Sequence, residues 1–549
     1  MGTEKNYVDI VFPDESADGY YMGKKKKLVD NFIYIDPDWY EQIFDPSKFY
    51  ILGPKGCGKT LYAAYMCASI RKNTVSRSHA IDVSDYGKLI AMKKKNHLYF
   101  TDYLTVWKVI LLQKLLFGLD ADEISFFGRA KNFKRIQETI SKHFGYDVSD
   151  DSFNPITVID SCNKQTEVTD YLNSQLELGP VSSERSPSFS LQSRIQQQET
   201  RSSGKVVETV ASSYTDTWLR SISAFKNVLE KISFKYDHYL FVDGLDVRPT
   251  NISEKEYSEC IGALVRAVYE LNTKIFGNMD RKDGHTFKII ALTRTDIFLN
   301  SNLVNVTSCI NDNSVELDWT YSNEKDFFTS KLYKMMNRVL GWDGKSPFMP
   351  VDRYFNFSLL YQGKRSINAA MYIQRQSRLR PRDVVVLLRL IQKECKSKNK
   401  LNPSADDFDS PELVSHYSNY YTDQVKSEMM FSYSLPVIKS IFEMTRTLRS
   451  YKFSENDFRA AYERYGDTHS GFFNEFPSHR QLIDVLYSLD MVGWIERVGN
   501  SSKMHWHYRE VKAIDELYRL PWEQFDCATG SKLLIHRGAS KHILGVVTK

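Results

Sequence analysis

The sequence predicts an α/β fold: a parallel sheet flanked by helices, followed by a helical segment and a smaller C-terminal domain. Three observations predict it. Short apolar runs rich in β-formers, Ser47–Leu52 (SKFYIL), Tyr239–Val242 (YLFV) and Phe287–Leu292 (FKIIAL), are separated by stretches of helical period. Each run ends on glycine or a polar cluster, which is where parallel α/β sheets present their ligand-binding edge. Beyond about residue 321 the pattern is mostly helical, and it closes on two helices and a hairpin.

Bulk properties narrow the function classes. A chain of 549 residues suggests three domains at roughly 100–200 residues each. Hydrophobic (42%) and charged (26%) fractions are those of ordinary globular proteins, and 13% aromatics argue against a mostly disordered chain. Lys plus Arg (73) against Asp plus Glu (68) gives +5, too weak a bias to imply nucleic acid without local clustering. Cys57, Cys67, Cys162, Cys260, Cys309, Cys395 and Cys527 form no CxxC pair, so neither a zinc site nor a disulfide framework is expected. The N-terminus lacks a secretory h-region, and no apolar stretch approaches the ~20 residues of a membrane helix. The expected location is cytoplasmic, away from membranes.

The elements follow in order. Residues 1–45 form a flank whose Lys24–Lys27 run reads as a solvated turn or helix start. The strand Ser47–Leu52 ends at glycine, and Thr60–Ser69 has helical composition. Phe100–Phe117 reads as a helix with a broad apolar face. Residues 145–215 are rich in Ser, Gln, Asn and Thr and read as a polar insertion, either a β-hairpin around Ser188–Ile195 or disordered. Trp218–Ile232 returns to helical period, and Val315–Trp319 is a candidate fourth strand. The nucleotide domain so defined spans 46–320. Residues 321–400 read as a helical lid. In 401–520, a capping signal at Ser454–Asp457 precedes the helix Phe458–Tyr465. The amphipathic helix Arg480–Leu489 and the hairpin Trp494–Val498/Lys503–Tyr508 then complete a winged-helix pattern. The tail 521–549 is basic, with Leu533–Arg537 as a candidate closing strand.

The strongest chemical signal is Gly53-Pro54-Lys55-Gly56-Cys57-Gly58-Lys59-Thr60, which fits G-x-x-x-x-G-K-[ST] between a strand and a helix. Polyphosphate needs many N–H donors at close range. Glycines at 53, 56 and 58 allow backbone angles that other residues resist, successive amides form an anion nest, and the helix N-terminus through Leu61 adds its dipole. Lys59 is expected to bridge the β- and γ-phosphates and Thr60 to ligate Mg²⁺, while Lys55 sits at a variable position. The apolar strand Tyr239–Val242 delivers Asp243, expected to hold Mg²⁺ through water. Asp246, past Gly244, is either the residue that polarises the attacking water or a turn cap. Thr293 and Arg294 end the next strand, where a hydroxyl orients water and a guanidinium stabilises transferring charge; the bland alternative is a helix cap followed by surface charge. Arg380-Pro-Arg-Asp383 opens a helix, and Arg382 is the candidate for a lid arginine reaching the nucleotide, against an ordinary helix-start ion pair. In the winged helix, His479, Arg480 and Gln481 stand beside Asp484 and Asp490, and Arg497, Lys503, His505 and His507 surround Trp506. This leaves both DNA contact and a protein-docking role open, the second favoured.

The phosphate loop GPKGCGKT, the strand-borne DGLD, the TR after the next strand and the helical RPRD occur in an order that resembles the STAND and AAA+-like branch of P-loop ATPases. The ending resembles prokaryotic members with a C-terminal winged helix, several of which sit in antiviral defence or DNA-maintenance loci. The resemblance spans about residues 30–520. It implies that Gly53–Thr60 bind ATP, that Asp243 serves Mg²⁺, and that Arg294 and Arg382 act as sensors. It also implies a homo-oligomer whose assembly, or a separate effector protein, is controlled by hydrolysis. The sequence departs in having Gly244 where many motor ATPases place Glu, and Val247 where STAND members often do. A DNA-bound AAA+-like loader, a non-hydrolysing nucleotide-held scaffold and a small-molecule kinase are the competing expectations; ATP is preferred to GTP by class alone.

Overall fold

A computed structural model describes residues 5–21, 23–81, 102–125, 225–246, 252–301, 306–321, 324–361, 365–469, 471–498, 501–509 and 532–544, with isolated further positions such as Tyr86, Phe133, Leu520 and Trp522. The polar insertion at 145–215 and the lysines at 93–95 lie outside the described residues. The chain divides into two compact units. One comprises 45–51 and 66–315 and is called the sheet unit. The other comprises 1–44, 52–65 and 316–549 and is called the loop unit.

The sheet unit is built on five parallel strands: β1 (Tyr50–Leu52), β2 (Thr74–Ala80), β3 (Asp237–Asp243), β4 (Phe287–Thr293) and β5 (Ser314–Glu316), in the order β2-β3-β4-β1-β5. This is the expected parallel sheet flanked by helices. Every residue of β4 is buried, as are the five residues His238–Val242 of β3, which is why both read as continuous apolar runs. β2 was not legible as a strand. It lies at the sheet edge, and its sequence TVSRSHA keeps polar side chains at half-exposed positions. The fourth apolar run forms β5 one residue earlier than expected and for only three residues.

Helices Asp102–Gly118 and Glu254–Glu270 pack together beside this sheet. Ser253 caps the second, accepting from the Glu256 amide at 3.2 Å. Trp107 Nε1 donates to Cys260 O at 3.1 Å, and Tyr50 Oη to Val265 O at 2.9 Å, so the polar ends of two buried rings are satisfied inside the core. Asn272 stitches helix to sheet. Its Nδ2 donates to Val268 O and Ile289 O at 2.8 Å each, and its Oδ1 accepts from Ile289 N at 3.0 Å.

The loop Gly53–Thr60 leads into the helix Lys59–Ala68, which begins in the loop unit. The helices of this unit include Lys331–Val339, Pro381–Ser397 and Pro411–Met429. Ser330 and Ser410 cap the first and third, and proline opens the second and third, where a missing N–H costs nothing. An unforeseen antiparallel hairpin, β6 (Ser358–Tyr361) with β7 (Arg365–Asn368), interrupts them. The N-terminal flank is part of this unit. Tyr7 is fully buried and donates to Leu388 O at 2.8 Å, and Gln392 Nε2 donates to the carbonyls of Tyr7, Val8 and Ile10. The lysine run forms a short turn, Gly23–Leu28, in which Lys25 pairs with Asp14 at 2.6 Å.

The C-terminal part carries a four-stranded antiparallel sheet in the order β10-β9-β11-β8: β8 is Lys452–Phe453, β9 Val492–Val498, β10 Ser501–His505 and β11 Lys532–Ile535. The expected hairpin is β9–β10, and the candidate closing strand of the tail is β11, lodged between β9 and β8. Helices Glu455–Thr468 and His479–Ser488 accompany it. The first opens on the expected box, with Ser454 and Asp457 satisfying each other's amides at 3.1 and 2.8 Å. Among the described residues no helix is long and apolar enough to cross a membrane.

Candidate functional site

The loop Gly53–Thr60 holds the conformation its glycines suggest. Gly56 and Gly58 have φ of +85° and +106°, and a Cβ on Gly53 would lie 2.8 Å from Cys57 Sγ. Every carbonyl from Gly53 to Cys57 is engaged. Lys59 Nζ donates to Gly53 O (2.8 Å) and Pro54 O (3.1 Å), Arg380 Nη1 to Lys55 O (3.3 Å), the Arg382 amide to Gly56 O (3.2 Å) and Trp319 Nε1 to Cys57 O (2.8 Å). In a trans peptide the N–H points opposite to the carbonyl. Holding the Lys55 and Cys57 carbonyls therefore turns the amides of Gly56 and Gly58 the other way, and these donate to no described residue.

Lys59 is the electrostatic centre. It is 8% exposed, lies across the loop on two backbone carbonyls, and has no carboxylate partner among the described residues. An ammonium so buried, with Cys57 Sγ at 4.0 Å beside the two carbonyls, is poorly solvated, and an anion is its natural complement. Lys55, whose position is variable in the motif, donates to Ser427 Oγ at 2.5 Å. Thr60 begins the helix beside Lys59, and its carbonyl accepts from Tyr21 Oη at 3.0 Å. Pro54 is exposed and Leu61 half-buried.

Of the two arginines around Pro381, the expected Arg382 meets the loop chiefly through its backbone. Its Cβ would stand 3.2 Å from a Cβ on Gly56, and its guanidinium reaches only Gln424 Oε1, at 3.5 Å. Arg380, which the sequence did not single out, has the side chain that touches the loop. It also binds Glu428 Oε1 (2.5 Å) and Asp490 Oδ2 (3.3 Å), while Arg378 binds Asp383 (3.1 Å) and Glu428 (2.9 Å). All five are nearly inaccessible. Burial alone would raise the Asp383 pKa, but Arg378 and Arg380 outweigh it and hold the carboxyl below its usual range. At Asp490 burial wins and the pKa is raised, despite His507 and Arg380.

In the sheet unit, Asp243 closes β3 and Thr293 closes β4, its neighbour; Val242 is level with Ala291. Asp243 Oδ1 accepts from the Gly244 amide at 2.8 Å. Gly244 has φ +85°, and a Cβ there would lie 2.4 Å from Ile81 O, so the chain admits no side chain directly after Asp243. That is the physical reason glutamate is absent from this position. Asp246 sits half-buried in the following turn, and the next long helix is capped by Ser253 instead. Thr293 is fully buried and its Oγ1 has no partner among the described residues. Arg294 pairs through Nε with Asp296 at 2.9 Å and through Nη2 with its second oxygen, inside its own turn. Arg294 is buried and makes no side-chain capping bond, so neither part of the bland alternative, a helix cap followed by surface charge, describes it.

On the His479 helix, Gln481 is exposed, while Asp484 and Arg480 meet Leu520 and Trp522. Asp484 Oδ1 accepts from Leu520 N and Trp522 Nε1, both at 2.9 Å. Arg480 lies 4.5 Å over the Trp522 ring and forks onto Glu455 at 2.8 and 3.3 Å. His479 binds the same Glu455 at 2.9 Å, and on the hairpin His505 stacks on Trp494 and binds Glu496 at 3.0 Å.

Comparison with protein-family models, with curated proteins and with solved structures finds no match to this chain.

Proposed function

We propose that the chain is a Mg²⁺-dependent P-loop ATPase that works as a molecular switch, controlling its own assembly or a separate effector protein. The observation that carries this reading is Lys59: a buried ammonium without a carboxylate, laid across a loop whose glycine amides at 56 and 58 have no described protein acceptor. Those features together describe a polyanion cradle. Thr60 in the loop unit offers a hydroxyl and Asp243 in the sheet unit a carboxylate, each a hard oxygen donor of the kind Mg²⁺ takes beside a triphosphate. Asp243 and Thr293 end the neighbouring strands β3 and β4 of the parallel sheet, the kind of edge at which such sheets bind ligands. The buried, unpartnered Thr293 hydroxyl supports a role in orienting water. Asp246 is the carboxylate left for polarising that water, since Gly244 admits none. Arg294, tied to Asp296, would have to change partner to serve the phosphates.

The expectation of DNA reading through the His479 helix receives less support, because its Arg480 is held by Glu455 and the Trp522 ring. The C-terminal segment, read as a winged helix, fits a protein-docking or structural role better. A role in antiviral defence rests on the family resemblance alone.

Phosphate release from ATP with Mg²⁺, alongside ATP binding, tests the reading in wild type and Lys59→Ala. Binding and turnover in wild type, both lost in the variant, are expected. Tight binding without turnover leaves a nucleotide-held scaffold, a second reading favoured by the missing carboxylate at Gly244. No ATP binding by wild type would refute both.

A further inference from the structure

Arg380 does more than touch the loop. One guanidinium reaches Lys55 O at 3.3 Å, Glu428 Oε1 at 2.5 Å and Asp490 Oδ2 at 3.3 Å. Glu428 lies on the Pro411–Met429 helix. Asp490 forms the turn between the His479 helix and β9, in a left-handed backbone conformation with φ +58°. That turn is held on all sides. Asp490 Oδ1 accepts from the Tyr508 amide at 3.0 Å, and its carbonyl accepts from Tyr421 Oη at 2.7 Å. A single side chain therefore joins the phosphate loop to the start of the C-terminal sheet.

The network is poised rather than saturated. Asp383, Glu428 and Asp490 are three carboxylates facing the two guanidiniums of Arg378 and Arg380, and Arg380 Nε is buried with no partner among the described residues. Water cannot replace a lost partner at so buried a place, so such a network holds discrete arrangements instead of relaxing continuously. An anion drawn to the Gly56 amide acts on the very peptide whose carbonyl, Lys55 O, is Arg380's acceptor. A tilt of that peptide must lengthen or shorten the Arg380 bond, and the guanidinium can then redistribute between Glu428 and Asp490. Arg382 lacks this reach.

We propose that Arg380 is a positioning residue that couples occupancy of the phosphate loop to the Asp490 turn, so that the C-terminal antiparallel sheet reports and regulates the bound state of the loop. This rests on reading the loop as a triphosphate site. Coupling of this kind is reciprocal: whatever steadies the turn must also change affinity at the loop.

Hydrogen exchange on the full chain, with and without saturating ATP and Mg²⁺, tests it through peptides covering 53–62 and 486–496. Both are expected to change protection in wild type. In Arg380→Met, and in Asp490→Asn, which keeps an acceptor and the shape, the loop peptide should still respond while 486–496 falls silent. ATP affinity should drop roughly fivefold or more, the lower end of ordinary coupling between sites. A merely structural arginine would lower protection of both peptides without separating their responses. A loop response in wild type with no change at 486–496, or an undiminished response at 486–496 in a folded variant, overturns the coupling. Silence of both peptides in wild type overturns the triphosphate reading itself, and the coupling with it.

Discussion

Replacing Gly244 by alanine isolates the constraint behind the Asp243 edge. Two costs arise there. A residue with a Cβ at φ +85° pays on the order of 1–2 kcal/mol for left-handed backbone, partly offset by about 0.4–1 kcal/mol from a less flexible unfolded chain. The new Cβ would also lie 2.4 Å from Ile81 O, inside the 3.0 Å that real Cβ atoms keep, so one of two backbones must move by at least 0.6 Å. Overpacking of this sort typically costs about 1–3 kcal/mol. Gly284, in the same unit, separates the two: its φ is +72°, and a methyl added there would meet nothing within 4 Å. Gly284→Ala should therefore cost about 0–1.5 kcal/mol and Gly244→Ala about 1–4.5 kcal/mol. Native-state hydrogen exchange of the β3 and β4 amides is the assay, because one global unfolding free energy is ill-defined for a chain of two units. Equal effects of the two substitutions would refute the claim that the Ile81 backbone closes this position. The absence of glutamate would then need another cause.

Two other outcomes are expected. Lys288 is buried in β4, donates to Asp45 O at 2.6 Å and lies 4.9 Å from the Tyr239 ring; burial, only partly opposed by the Asp45 charge, pushes its pKa from 10.5 down to about 7. Between those values the unfolded chain holds a proton that the folded one lacks, so sheet-unit stability should rise with pH from about 7 toward 10.5, by at most ~1.4 kcal/mol per pH unit. Native-state hydrogen exchange of the β4 amides at pH 7 and pH 9, corrected for intrinsic exchange rates, should show this rise, and Lys288→Met should flatten it; a wild-type slope unchanged by the substitution counts against the assignment. Trp522→Ala removes both the Asp484 bond and the ring beneath Arg480, and should loosen the segment over the His479 helix by about 1–3 kcal/mol. Limited proteolysis near residue 522 should then quicken, whereas an unchanged pattern would mean that the ring does not hold the segment.

What the sequence revealed followed from local chemistry. The loop Gly53–Thr60 was legible because its glycines at 53, 56 and 58 fall, with Lys59 and Thr60, in one short stretch between a strand and a helix. Asp243 and Thr293 were legible because buried parallel strands are apolar on both faces and end abruptly in polar residues. The helix at Glu455 declared itself through Ser454 and Asp457. Elements defined by distant partners were hidden. β2 is an edge strand whose sequence, half polar, carries no clean period. Arg380 and Arg382 look equivalent around Pro381. What separates them are Glu428 and Asp490, 48 and 110 residues away in the chain, and no spacing rule reaches so far. The cover over Arg480 and Asp484 likewise comes from residues read as a separate tail.

The placement of β11 has a consequence for how the chain is made. Its two neighbours, β8 and β9, are synthesised before it, yet in the finished sheet they never pair with one another. From the emergence of Phe453 until Ile535 has appeared, β8 has no strand to bind and β9 shows one unpaired edge, an invitation to register errors or to another chain. Chaperone dependence and aggregation during expression should therefore concentrate in this window of translation. A stop codon introduced just ahead of Lys532 would make that exposed intermediate permanent.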